Sequence, residues 1–83
     1  MKLPHKRQVI LISKDDCHLC HEARVKIERV QRRLGFAFRE VNIAESPEWT
    51  LKYEWKVPVV RIDGHDVLVS RVSEFRLLRA LLG

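Results

Sequence analysis

The stretch Cys17-His18-Leu19-Cys20 limits what this chain can be more than any other. It follows an unbroken apolar run, Val9-Ile10-Leu11-Ile12, bounded by Lys6-Arg7-Gln8 before and Ser13-Lys14-Asp15-Asp16 after. A short apolar run between polar flanks reads as a strand, Gln8–Ser13, buried on both faces as in a sheet covered by helices. A long helical pattern opens at the cysteines. Cys20, Ala23, Ile27, Val30 and Leu34 recur at steps of three and four, and Gly35 can take the left-handed conformation that ends a helix. The helix is thus expected over about 17–34, with Cys20 heading the buried stripe and Cys17 exposed before it. Unpaired N–H groups and the macrodipole at that end favour a thiolate on Cys17. Two thiols at this spacing can close a small disulfide ring and reopen it.

The length of 83 residues leaves room for one domain, residues 1–83, with one core. A hydrophobic fraction of 46% places the chain among folded proteins rather than disordered ones. No apolar run approaches the roughly 20 residues that span a bilayer, and no signal-type segment precedes the first strand. The expectation is a cytoplasmic protein without a membrane partner. In a reducing compartment two cysteines rarely make a structural staple, and a ring this short constrains the unfolded chain little. The net charge of +5 raises the question of nucleic acid. The basic residues are dispersed, however, and Arg24/Glu28 and Glu28/Arg32 fall at i,i+4 on the first helix. Glu22 and Arg24 read as surface charge on a solvated face, and no nucleic-acid motif accompanies them.

The rest of the chain divides cleanly. Residues 1–7 form a polar lead-in in which Pro4 bars regular structure. Residues 36–43 alternate as a second strand, parallel to the first because a full helix intervenes. Ser46-Pro47-Glu48 is a helix start, with Ser46 as N-cap, and the helix over about 47–54 places Trp49, Leu51, Tyr53 and Trp55 near its apolar side. A third strand follows over 57–62. Asp63-Gly64 is a two-residue hairpin turn of the primed type, leading to an edge strand over 65–69. Ser70 and Ser73 are candidate N-caps for a last helix over about 73–82, with Phe75, Leu78, Leu81 and Leu82 as the buried stripe and Arg76 and Arg79 outward. The order is βαβαββα.

A strand, a Cys-x-x-Cys at a helix start, and Val57-Pro58 opening a strand 41 residues after Cys17 together resemble the thioredoxin fold. The short length and single helix between strands two and three resemble small glutaredoxin-like proteins, over Gln8 to Leu82. The resemblance implies an α/β thioredoxin-like fold, a four-stranded mixed sheet flanked by helices. It implies a cis Val57-Pro58 bond beside the sulfurs, with the Val57 backbone bonding an incoming peptide or glutathione in a strand-like way. It implies that Cys17 attacks a disulfide and Cys20 resolves the mixed disulfide, with His18 and Leu19 facing the substrate. Glutaredoxins usually carry Pro-Tyr between the cysteines and a Gly-Gly before the last helix; His18-Leu19 and Val69-Ser70-Arg71-Val72-Ser73-Glu74 stand here instead. Lys14 matches a lysine that glutaredoxins use near the glutathione carboxylate, and Arg71 or Ser73 could serve that end.

The histidines leave other chemistries open. Cys17-His18-Leu19-Cys20-His21 also fits the haem-attachment string, but Met1 is the only methionine and no export signal is present. Zinc on Cys17, Cys20 and a histidine would need a fourth ligand from His5 or His65, without matching spacing. A glutathione-held iron–sulfur cluster occurs in some glutaredoxins. The sequence therefore supports a monomeric thiol–disulfide oxidoreductase with no tightly bound cofactor or metal. Glutathione is a candidate co-substrate, and a disulfide-containing protein or glutathione mixed disulfide is the partner. The alternative is a non-catalytic module of the same fold that binds zinc, an iron–sulfur cluster or a partner protein.

Overall fold

Strand β1, Gln8–Ser13, runs through the middle of a four-stranded sheet in a computed structural model that describes residues 3–83. Parallel to it lies β2, Ala37–Asn42, in a register from Gln8↔Ala37 to Ser13↔Asn42. On its other side β3, Val59–Ile62, pairs antiparallel from Val9↔Ile62 to Ile12↔Val59. Beyond it β4, His65–Val69, closes the sheet, giving the order β2-β1-β3-β4. The apolar run of β1 is buried from both sides because successive residues point to opposite faces. Val9 and Leu11 join the larger core beneath two helices, while Ile12, with Ile10, joins the smaller core beneath the third.

Helix α1, His18–Leu34, buries Cys20 and packs Ala23, Ile27 and Val30 on the larger core, and it ends at Gly35, whose φ of +76° suits a residue without Cβ. Helix α2, Pro47–Tyr53, is capped by the Ser46 hydroxyl, which accepts the Trp49 N–H at 3.3 Å. Helix α3, Glu74–Leu82, packs beside α1. Asp63 and Gly64 both have positive φ (51° and 86°), so the hairpin turn is of the primed type that matches strand twist. The Val57–Pro58 peptide is cis and Pro58 is fully buried.

Three details differ from the sequence expectations. The lead-in forms a 3-10 turn at Pro4–Lys6, because proline at a first helical position loses an N–H that had no partner anyway; residues 1 and 2 lie outside the described residues. In α2 only Trp49 and Tyr53, one turn apart, face the sheet, in edge-to-face contact at 5.9 Å. Leu51, two residues out of phase, and Trp55, past the helix end, are each 86% exposed. In α3 the buried positions are Leu77 and Leu81, with Leu78 and Ala80 partly covered, whereas Phe75 is 71% exposed. Leu82 is half exposed too. The i,i+4 pair Leu77 and Leu81 turns to the core, and Phe75, about 200° around the axis from Leu77, is left facing solvent.

Candidate redox site

Ser13 ends β1 as the only buried polar residue among the described residues, and Lys14, Asp15 and Asp16 then turn the chain toward α1. Asp16 takes a positive φ of 53°, a conformation Asp tolerates. Cys17 follows in extended geometry (φ −114°, ψ 103°) and is the N-cap itself, just outside the helix rather than within its first turn. Its Sγ accepts the Cys20 N–H at 3.2 Å, the place a serine or aspartate oxygen usually fills. The two sulfurs are joined in a disulfide. Cys20 is 2% exposed and packs at the head of the α1 stripe, while Cys17 stays partly exposed.

The other residues named from sequence fall into separate places. His18 is exposed, with Nε2 3.8 Å from Glu22 Oε2, and Leu19 is about half exposed. Lys14 turns to the α2–β3 connection, donating to the Glu54 carbonyl at 3.4 Å with its Nζ 5.6 Å from the Trp55 ring centre. Ser73 is engaged as the cap of α3, accepting the Arg76 N–H at 3.1 Å. Arg71 is exposed. The Val57 N–H already donates to the Tyr53 carbonyl at 3.1 Å, so this amide is not free for an incoming strand. The helix α2 ends by capturing it. The register Ile12↔Val59 brings Pro58 to the same end of the sheet as Ser13 and the loop before Cys17.

Two clefts flank the start of α1. One, about 530 Å³, holds Cys17 and Cys20 with Lys14, His21, Arg24 and Glu40 in its walls. The other, about 480 Å³, lies between α1 and the β4–α3 connection, with Leu19, Lys26, Arg71, Ser73 and Arg76 among its walls. The structure thus gathers Lys14 with the cysteines, and Leu19 with Arg71 and Ser73.

Sequence reasoning missed a network in the first cleft. Glu40 accepts the Ser13 hydroxyl at 2.7 Å and the Arg24 guanidinium through two nitrogens, with Nη2 at 3.1 Å. Arg24, expected as surface charge paired along its own helix, reaches across to β2 instead. Its hydrogen bond holds the Glu40 carboxyl below its ordinary value against the cost of burial, and the Ser13 hydroxyl adds to this. The same bond raises the Arg24 value. A signal existed in the adjacent charges Arg39-Glu40: side chains of neighbouring strand residues point to opposite faces, so one of the two had to meet a helix. Asn42 completes the network's edge by donating to Asp15 Oδ1 at 2.9 Å, pinning the loop before Cys17. Among the described residues no group of three His, Cys, Asp or Glu side chains is placed to hold a metal ion. No helix there is long and apolar enough to cross a membrane.

A four-stranded mixed sheet, three flanking helices and a Cys-x-x-Cys at the start of the first define a thioredoxin-fold domain. Residues 8–82 match the model of the Glutaredoxin-like domain (DUF836) family, and the chain belongs to that family. The X-ray structure of target protein XcR50 from X. campestris is 36% identical, with 89% of this chain and 93% of that chain covered and a TM-score of 0.70. The solution structure of protein Ne2328 from Nitrosomonas europaea superposes at a TM-score of 0.77 with 19% identity, covering 90% and 91% of the two chains. The holo form of glutaredoxin C1 from populus tremula x tremuloides matches at 0.56 and 19%, covering 96% of this chain and 76% of that one.

Proposed function

We propose that this protein is a small thiol–disulfide oxidoreductase working through Cys17 and Cys20. One observation carries the reading: the capping sulfur of α1 is partly exposed and bonded to a second sulfur in the core. In the reduced protein, Cys17 as thiolate attacks one sulfur of a substrate disulfide and expels the other as a thiolate. Cys20 loses its proton, attacks Cys17 Sγ, and releases the second substrate thiol as the Cys17–Cys20 disulfide closes. Two external thiols return the pair to the dithiol, and glutathione in a cytoplasmic setting would supply them. Of the three residues that could meet a glutathione carboxylate, Lys14 and Ser73 are engaged elsewhere and Arg71 is exposed. That favours a disulfide-bearing protein as the oxidised substrate.

The test is reduction of insulin or of a glutathione mixed disulfide by the pre-reduced protein. Turnover should vanish in Cys17→Ser, and Cys20→Ser should accumulate a Cys17 mixed disulfide visible by mass. Wild-type protein that turns over neither substrate would overturn the reading and leave the non-catalytic binding module.

A further inference from the structure

The Arg24–Glu40 pair has no part in the exchange steps above, yet it opens onto the same cleft as both sulfurs. Arg24 lies one helical turn after Cys20, on the same face of α1, so the rigid helix fixes its distance from the disulfide. Glu40 stands opposite Leu11 in the β1–β2 register and reaches α1 from the sheet. Its side chain is 26% exposed and Arg24's 39%, so their fields are screened less than those of charges standing free in solvent. Ser13 holds the carboxylate from below through a bond of 2.7 Å.

We infer that Arg24 and Glu40 form a charge-balanced pair that sets the thiolate affinity of Cys17 and the dithiol–disulfide equilibrium, each charge cancelling the other's field at the sulfurs. The inference rests on the exchange reading and adds a regulator to that same site. The chemistry is one of fixed charges. A guanidinium stays protonated at any pH the thiols reach. The Glu40 carboxyl, held low by Arg24 and Ser13, stays ionised there too. Neither group titrates alongside a cysteine in the intact pair, and in a variant without Arg24 the Ser13 hydroxyl still favours the ionised carboxyl, so removing one partner leaves a charge of the opposite sign.

The other charged groups around the pair are accounted for. Lys14 is drawn toward Glu54. Asp15 accepts from the Asn42 side chain, and Glu45 accepts the Asn42 N–H at 2.9 Å. Asp16 lies in the wall from the β1–α1 loop. On α1, His21 Nδ1 lies 3.4 Å from Arg24 Nη1, and Glu28 acts on Arg24 through space. Glu40 is the carboxylate among these that bridges directly from the sheet to the cysteine helix.

Four variants decide the matter: Glu40→Gln, Arg24→Gln, the two combined, and Arg24→Lys. Two readouts apply to each: the pH dependence of Cys17 alkylation in reduced protein, and the equilibrium of the Cys17–Cys20 disulfide plus two glutathione thiols with the dithiol plus glutathione disulfide. Glu40→Gln exposes the guanidinium, so the alkylation pKa should fall and the dithiol should gain by about threefold. Arg24→Gln exposes the carboxylate, so both should move the opposite way by about threefold. The combined variant and Arg24→Lys, which keeps the charge while losing the two-nitrogen bridge, should both return toward wild type. A purely mechanical strut would move both single variants in one direction, with Arg24→Lys among them. Shifts of the same sign, or none, overturn the inference. If the wild-type pair fails to equilibrate with glutathione at all, the exchange reading falls, and the alkylation profiles still decide the charge balance.

Discussion

Helices α1 and α3 start in the same way and end up with different uses. Both lie over the larger core, and both are capped by a side chain in extended geometry that accepts the N–H three residues on. In α1 the acceptor is the Cys17 sulfur at 3.2 Å; in α3 it is the Ser73 oxygen at 3.1 Å. The difference lies in the acceptor atom and in the residue that donates. Three residues past the cap, α1 points Cys20 into the core, whereas α3 points Arg76 to solvent. A helix start in this fold therefore demands only a capping acceptor. The disulfide arises at α1 because that acceptor is sulfur and a second sulfur sits where the helix phase buries it.

The largest break in that comparison is Cys17→Ser. Serine is among the best N-cap residues, so the start of α1 should survive with an oxygen in the role that Ser73 plays in α3. Disulfide reduction should nonetheless drop to background, while the circular dichroism of the variant matches that of reduced wild type. Loss of helix content along with activity would show that the sulfur is needed for the fold, and the two helix starts would no longer be equivalent.

The next effect separates the two helices by how firmly they are buried. Leu77 is fully buried on α3 as Ile27 is on α1, so Leu77→Ala should cost about 2–5 kcal/mol in urea unfolding, as truncations of this kind do. A loss under about 1 kcal/mol would mean that the site collapses around the gap or that α3 is loosely docked. Much of this architecture was legible beforehand because its signals are local. Period-two and period-3.6 patterns, the Asp63-Gly64 turn, Ser46 before Pro47, and Gly35 after Leu34 each act within a few residues. What could not be read depends on contacts between segments distant in sequence. Glu40 meets Arg24 and Ser13 only because β2 takes one particular register against β1. The inward face of α3 likewise depends on which leucines meet the distant core, and Ser70 takes a left-handed turn, φ 67°, that leaves the cap to Ser73.

Ser73→Ala tests the cap that has no chemistry. The Arg76 N–H would lose its acceptor, at a cost of about 1 kcal/mol in stability, with the exchange rate unchanged at temperatures below unfolding. A fall in exchange rate without a fall in stability would instead place the Ser73 hydroxyl in substrate binding.

The ion pairs that tie each helix down differ in a way acid should reveal. Arg24 anchors α1 to β2 through Glu40, and Arg29 anchors α1 to α3 through Glu74 at 3.2 Å, with side chains 57% and 39% exposed. The Glu40 carboxyl is lowered in the folded protein, so its contribution is full above the ordinary glutamate range, near about pH 4.3, and is lost as pH falls through the lowered value. Glu40→Gln should therefore weaken the protein at neutral pH and flatten its loss of stability below that range. Urea midpoints across the acid limb measure this. An unchanged slope would mean that Glu40 binds protons equally in both states.

The smallest effect is the most direct check on α3. Phe75 lies two residues past the Ser73 cap, and its ring is turned out, so little apolar area leaves water when the protein folds. Phe75→Ser should change stability by less than about 0.5 kcal/mol, as substitutions on exposed faces do. If Phe75 instead belonged to the stripe with Leu78 and Leu82, its loss would cost more than about 2 kcal/mol, on the scale of a buried aromatic. The cost of this one ring therefore decides between two helix phases about 100° apart per residue step. Arg76 stays outside in either phase, its backbone N–H serving the cap while its charge remains in solvent, so position 75 is where the two phases part.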